Sequence, residues 1–332
     1  MAGQLWVTNS LGGFYYALNL SKELRMGVQA TAKFRQFCDI KDAWEKTSRS
    51  GQTFTWDVVP MMSRASRALV ETNTIPQGNH TVLQGTLTMS ERGFSVPYTG
   101  MLEAMSQFNV RQPIMKVLKY DAQCDLDSLA HQQFNNTPLR VAATSTADAV
   151  TLTTNSSATL TNSAPMSTTN LRSIVDIMKG RDIPMYDGKN YWSIGRPLAY
   201  RNIRTNMEAI FQYTESGLTQ IKNGEIGRYW ETRLVEDTTI PTGGATDSTT
   251  FDAFTNTGDA WNVGAAGDWV FIFGEDTVCE AVNTMEEIRA KQPDDYGRSK
   301  GVAWYGLLGY GITHNSSDSL ANVRIVKFDS AV

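Results

Sequence analysis

The sequence predicts an α+β fold, and three observations carry that expectation. Ser50 to Tyr98 reads as one long extended hairpin. An amphipathic helix follows near Pro113 to Phe134. The rest of the chain mixes short strands and short helices irregularly, with no internal repeat.

The outgoing arm of the hairpin is Gln52 to Val59. The return arm runs through Thr81 to Leu83, Thr86 to Met89 and Phe94 to Val96. Between them lies an irregular tip, Met61 to Asn79, with Arg64, Arg67 and Pro76. An isolated two-stranded hairpin is marginal in water, because it has a bare face and two open edges. The surrounding sequence offers no evident partner sheet, so the arm is expected to rest on a neighbouring subunit. That points to an assembly protein.

Before the hairpin, Phe14 to Gln29 is a predicted helix with Ala17, Leu18, Leu24 and Val28 on one face. After it, Pro113 suits a first helical turn, where its missing donor does no harm. Ile114, Val117, Leu118, Ala122, Leu126, Leu129, Ala130 and Phe134 follow at three- and four-residue spacings. Twenty residues of helix reach roughly 30 Å, enough to act as a beam.

Residues 141–170 are rich in Ser and Thr, with Asp148 as their only charge. Alternation at Val150 to Leu152 suggests a surface hairpin. A second polar excursion spans Thr238 to Asp259. Between the two come a helix at Asn170 to Lys179, a strand near Tyr191 to Ile194 and a helix at Leu198 to Phe211. A turn at Asn223 and a strand over Arg228 to Val235 follow. Asp268 to Phe273 reads as a buried strand, and Thr277 to Asn283 as a short helix. Strands at Val302 to Thr313 and Val323 to Phe328 close the chain.

The chain has 332 residues, 41% of them hydrophobic, which is enough for one large or two ordinary domains. The net charge is -4 with no basic block, which argues against a gene regulator. Cys38, Cys124 and Cys279 are odd in number and show no CxxC, so neither a disulfide framework nor a thiolate metal site is expected. The start of the sequence has no signal-peptide pattern, and no run approaches 18 apolar residues, so no membrane partner is expected.

No catalytic, cofactor-binding or metal site is expected. His80, His131 and His314 show no ligand spacing. Gly297 to Gly301 fits G-x-S-x-G around Ser299. A nucleophile elbow needs a strand before the serine and a helix after it. Here a polar stretch precedes Ser299 and a strand follows, so a turn entering a strand is expected. The acidic pairs Glu236-Asp237, Glu286-Glu287 and Asp294-Asp295 read as solvated surface. Trp304, Tyr305 and Tyr310 read as a strand packed on the long helix.

Four stretches carry a family resemblance. Leu69 to Gly78 resembles a Leu-x-Glu-Gly-x-x-Pro-x-Gly hairpin pattern. Met101 to Phe134 is similar to a linker and spine helix. Asn223 to Arg228 with Arg233 to Glu236 resembles an Asn-Gly-Glu-x-Gly-Arg turn and strand. Phe273 to Asp276, Val302 to Tyr305 and Val323 to Ile325 resemble closing elements. Together, in order, they resemble the major capsid proteins of tailed bacteriophages, and among them the family of the podovirus N-four capsid protein. The chain departs from that pattern at Thr72-Asn73 and Trp230-Glu231.

The resemblance implies the Hong-Kong-97-like capsid fold. Residues 1–35 would form an N-terminal arm and 36–100 the extended loop. Residues 101–140 would hold the spine helix and first part of the peripheral domain. Residues 141–287 would form the axial domain, and 288–332 the closing strands of the peripheral domain. It also implies hexamers and pentamers of the chain itself, closing into an icosahedral head around double-stranded DNA in the virion. The portal protein, and separate scaffolding and cement proteins, are the implied partners, with assembly in the host bacterial cytoplasm. The candidate inter-subunit contacts on the loop are Trp56, Arg64, Arg67, Leu69, Glu71 and Arg92. A cellular nanocompartment shell of the same fold is the alternative.

Overall fold

A computed structural model describes residues 33–42, 53–59, 68, 69, 71, 74, 75, 77–80, 82–106, 109–143, 145–147, 150–154, 164–211, 225–238, 240, 267–292, 295–314 and 322–331. The expected helix over Phe14 to Gln29, the loop-tip residues Arg64 and Arg67, and most of the second polar excursion lie outside the described residues.

The described strands are β1 (Asp39–Asp42), β2 (Thr53–Val58), β3 (Leu83–Thr88), β4 (Ser90–Thr99), β5 (Arg140–Ala142), β6 (Thr151–Thr153), β7 (Tyr191–Gly195), β8 (Glu225–Tyr229), β9 (Thr232–Glu236), β10 (Gly267–Phe273), β11 (Val278–Ala290), β12 (Ser299–Ile312) and β13 (Ile325–Ala331). The helices are α1 (Gly100–Met105), α2 (Arg111–Asn135), α3 (Thr168–Gly180) and α4 (Arg201–Phe211). A four-stranded sheet runs β1-β11-β12-β4, and a seven-stranded sheet runs β6-β5-β13-β10-β7-β9-β8. Strands β2 and β3 form a separate two-stranded ribbon.

Helix α2 joins the two larger sheets. Its buried apolar residues Ile114, Leu118, Ala122, Leu126, Ala130 and Phe134 are spaced four apart. Each four-residue step overshoots a helical turn by about 40°, so the apolar stripe winds around the helix. Its first half packs with Leu102, Tyr98, Val302 and Trp304 beside the four-stranded sheet. Its second half packs with Trp269, Phe271, Phe273 and Ile325 of the seven-stranded sheet. Val117, expected on the buried face, is 46% exposed, because the winding stripe leaves it behind. Trp304 Nε1 donates to Asp121 Oδ2 on α2 at 2.7 Å, as expected for a strand packed on the helix.

Helix starts follow side-chain capping. Thr99 Oγ1 accepts from Leu102 N at the start of α1, and Ser167 Oγ accepts from Asn170 N at the start of α3. Each satisfies one backbone donor that the helix itself leaves open.

The structure corrects four expectations. Residues 278–283 belong to β11, between β1 and β12, where a helix was expected. Their five consecutive buried positions carry no period that separates strand from helix. The strand expected over Arg228 to Val235 is a hairpin, turning at Trp230 (φ 46°) and Glu231 (φ 60°). Two successive positive-φ residues give a turn that matches strand twist. The extended hairpin is shorter than expected: β2 pairs only with Leu83 to Thr88, and from Ser90 onward the return strand pairs with β12. Strand pairing also crosses the expected 287/288 boundary, since β11 spans it and β13 lies in the seven-stranded sheet.

The Val150 to Leu152 alternation does form a short strand, β6, paired with β5 at the edge of the large sheet. Gly297 and Ser299 sit where a turn enters β12, and Ser299 Oγ accepts from Lys291 Nζ at 2.8 Å.

Gly274 ends β10 against another segment. A Cβ there would stand 2.1 Å from Pro184 O and 3.0 Å from Ile183 Cγ2. Backbone cannot yield as a flexible side chain does, so Gly274→Ala is expected to cost roughly 2 kcal/mol. Thermal unfolding of the variant beside the parent checks this, and an unchanged melting temperature would contradict the packing.

Candidate assembly interface

The ribbon β2–β3 rests on its own chain at its base. Leu87, Met89, Cys279 and Ala281 form a buried cluster, with Phe54, Trp56 and Leu307 packed against it. Trp56 Nε1 donates to Thr313 O at 3.0 Å. Gly309 is where β12 passes the end of β3: a Cβ there would lie 2.7 Å from Thr88 O. The expectation that the whole arm needs a neighbouring subunit is therefore corrected for its base.

Farther out, the arm exposes apolar side chains. Val59 is 64% exposed, Leu69 62%, Ile75 70% and Val82 50%. Glu71 is exposed beside them. Clusters of exposed apolar groups mark surfaces that associate. Of the other predicted contacts, Trp56 is half-buried against its own chain, and Arg92 lies 3.7 Å from Asp125 on its own α2. Leu69 and Glu71 are exposed.

The four-stranded sheet also reaches outward. The first five residues of β11 are buried and most of the rest are exposed. Met285 is 65% exposed and Phe94 on β4 56%. Two register shifts, between Val282 and Thr284 and between Thr284 and Glu287, separate the inner and outer parts of β11. Such bulges bend a strand and increase its twist.

Arg35 spans that bend. Its Nη2 lies 2.9 Å from Glu280 Oε1 on the inner side, and its Nη1 lies 2.6 Å from Glu286 Oε1 on the outer side. Its backbone N–H donates to Asp127 Oδ1 of α2 at 2.9 Å. One residue thus ties the 3-10 turn Phe34–Phe37 to the helix and to both sides of the bulged strand. Burial works to lower the Arg35 pKa, but the bonds to Glu286 and Glu280 outweigh it and hold the guanidinium charged. Burial works to raise Glu286, and Arg35 again outweighs it, holding the carboxyl below its ordinary value. Burial pushes Asp127 up to about 6 despite the backbone donors it accepts.

Sequence reasoning missed this cluster. It reads Glu236-Asp237 as solvated, whereas Asp237 is 1% exposed. Glu286-Glu287 is exposed as read, and what the sequence does not show is that Glu286 pairs with Arg35. The partners lie 245 residues apart for Arg35 and Glu280, so no local pattern links them.

Beneath α2, His131 packs between Phe34 and Phe271, at ring distances of 4.7 and 5.2 Å. Burial, then the neighbouring Lys327, lower its pKa to about 3. Among the described residues, no group of three or more His, Cys, Asp or Glu is placed to hold a metal, and no helix is long and apolar enough to cross a membrane.

No family model matches the sequence, and no curated protein matches it. Solved structures do match. The capsid of Ralstonia phage GP4 aligns over 95% of this chain and 95% of its own, with a TM-score of 0.65 and 14% identity. The head structure of Helicobacter pylori bacteriophage KHP40 aligns over 95% of both chains, with a TM-score of 0.66 and 10% identity. The capsid structure of the cyanophage P-SCSP1u aligns over 94% of this chain and 92% of its own, with a TM-score of 0.60 and 13% identity. The chain therefore has the fold of tailed-phage capsid subunits, the Hong-Kong-97-like fold.

Two outcomes follow for the folded chain. Glu280→Ala leaves Arg35 without its fully buried partner and is expected to destabilise the protein by about 3 kcal/mol, read by denaturant unfolding. Equal midpoints for variant and parent would contradict the clamp. His131 has a folded pKa below its unfolded value of 6.5, so its contribution is complete above pH 6.5 and is lost as pH falls toward 3. Asp127 works the other way, so the comparison must be with His131→Gln. Below pH 6.5 the parent is expected to lose about 1.4 kcal/mol more per pH unit than this variant. Parallel stability–pH curves would contradict it.

Proposed function

We propose that this chain is the major capsid protein of a tailed bacteriophage, a structural subunit that self-assembles and has no enzymatic role. The observation that carries the reading is the likeness of nearly the whole chain to tailed-phage capsid subunits, from the hairpin to the last strand. The exposed apolar arm gives it a physical rationale.

In this reading, subunits form hexamers and pentamers that close into an icosahedral head enclosing double-stranded DNA. The four-stranded sheet and α2 serve as the peripheral domain, and the seven-stranded sheet as the axial domain. The outer arm of one subunit, with Leu69 and Glu71, lies over the peripheral domain of the next. An overlap burying about 1,000 Å² of apolar surface would contribute a gross ~25 kcal/mol. Rigid-body and ordering costs remove much of that, and many such contacts per subunit give a durable shell. A portal protein, with separate scaffolding and cement proteins, completes the head. Assembly takes place in the host cytoplasm.

The test is expression of the chain alone and with its genomic neighbours, followed by negative-stain electron microscopy. Closed polyhedra or rings of five and six are expected. A small monodisperse species under both conditions would overturn the reading. Arg64→Glu combined with Arg67→Glu is expected to reduce particle yield while leaving the thermal unfolding of the subunit unchanged. A normal yield from the double variant would remove these arginines from the contact.

A further inference from the structure

The seven-stranded sheet contains an arrangement that shell formation does not require. Lys327 on β13 is 2% exposed, on the face that α2 covers. Its Nζ lies 2.6 Å from Oδ1 of Asn135, the last residue of α2. The same Nζ stands 3.7 Å above the centre of the Trp269 ring. Its cross-strand neighbours are Phe271 on β10 and Arg140 on β5. His131 lies one turn earlier on the helix, and Asp329 follows two residues on along the same face of β13.

We propose that Lys327 and Asn135 form an intramolecular isopeptide bond, made by the folded chain itself. The reaction joins an amine to a carboxamide and releases ammonia. Lys327 Nζ attacks Asn135 Cγ and forms the new Nζ–Cγ bond. The Cγ–Nδ2 bond breaks, one Nζ proton passes to Nδ2, and Nδ2 leaves as ammonia. No oxidant, metal or cofactor enters the balance. Asp329 carries the proton between the two nitrogens.

The surroundings suit each step. An ammonium is expensive to keep in a dry interior, so burial favours the amine, which is the nucleophilic form. Burial, then the nearby Arg140, pull Lys327 well below its ordinary pKa. Burial pushes Asp329 up to about 7 against the pull of Lys327 and Arg140, so its carboxyl can hold and release a proton near neutral pH. Trp269 and Phe271 line the Lys327 side of the approach and keep that side dry, while Asn135 is partly buried at the helix end, where ammonia can leave. Holding amine and amide in contact makes the attack unimolecular, which is worth orders of magnitude in effective concentration. The bond would close a covalent loop over a separation of 192 residues and fix the end of α2 to the sheet.

The experiment is intact-mass measurement of the purified, denatured full chain, followed by proteolysis and peptide sequencing by mass spectrometry. The parent is expected to weigh one ammonia less than its sequence and to yield a branched peptide joining Asn135 to Lys327. Lys327→Met and Asn135→Ser are expected to restore the full mass. Asn135 is only partly buried at a helix end, so its variant keeps the measurement available if Lys327→Met does not fold. Asp329→Asn is expected to lower the fraction joined. A parent of full sequence mass, with the two peptides separate after prolonged incubation, would overturn the proposal. So would an ammonia loss that persists in Asn135→Ser. This readout does not depend on particle formation, so it stands apart from the proposed function.

Discussion

One helix has to lie against two sheets that share no strand, and most of the architecture follows from how it does so. A straight amphipathic stripe would serve one sheet and leave the other without a partner. The four-residue spacing in α2 turns the apolar face as it advances, so Ile114 and Leu118 meet the four-stranded sheet and Ala130 and Phe134 meet the seven-stranded one. Both sheets place aromatic side chains against it, Trp304 on one side and Phe271 with Trp269 on the other. The relation between the two sheets is thus carried by side-chain packing on one continuous rod and by a shared cluster in which Leu308 and Tyr310 of one sheet join Phe271 and Ile325 of the other. A continuous helix resists bending far better than a loop of equal length.

The arm depends on that frame. Its base is fixed by Trp56 and Leu87 on β11 and β12, strands that α2 also braces. Only the outer part, with Val59, Leu69 and Ile75, projects apolar groups into solvent. Anchored base and exposed end are distinct in energetic terms: the first contributes to folding, and the second leaves apolar surface in water.

Much of this was legible in the sequence where a periodic signal existed. Helix α2 showed itself through spacing, and β10 through an apolar run of strand length. The hairpin was legible as an arm, but its resting place was not, because Trp56 meets a carbonyl 257 residues away. The inner part of β11 was misread because five buried residues in a row fit a strand or a helix equally well. The β8–β9 turn was hidden because Trp230 and Glu231 occupy conformations that glycine or asparagine usually advertises. The Arg35 cluster is a tertiary feature throughout. Two of the six expected loop contacts, Arg64 and Arg67, lie outside the described residues, while Trp56 and Arg92 have contacts within their own chain that no local pattern signals.

The clamp at Arg35 also bears on ionic strength. Dissolved salt largely screens exposed charges that stand more than about 10 Å apart at 0.1 M, weakens nearer exposed pairs as it grows more concentrated, and reaches buried pairs far less. Glu280 is fully buried and Arg35 is about a quarter exposed, so their attraction is largely shielded from electrolyte. Glu286, on the outer side of the bend, is more exposed, so its pairing with Arg35 is the half of the clamp that salt weakens, while the inner half at Glu280 holds in dilute buffer and in brine alike.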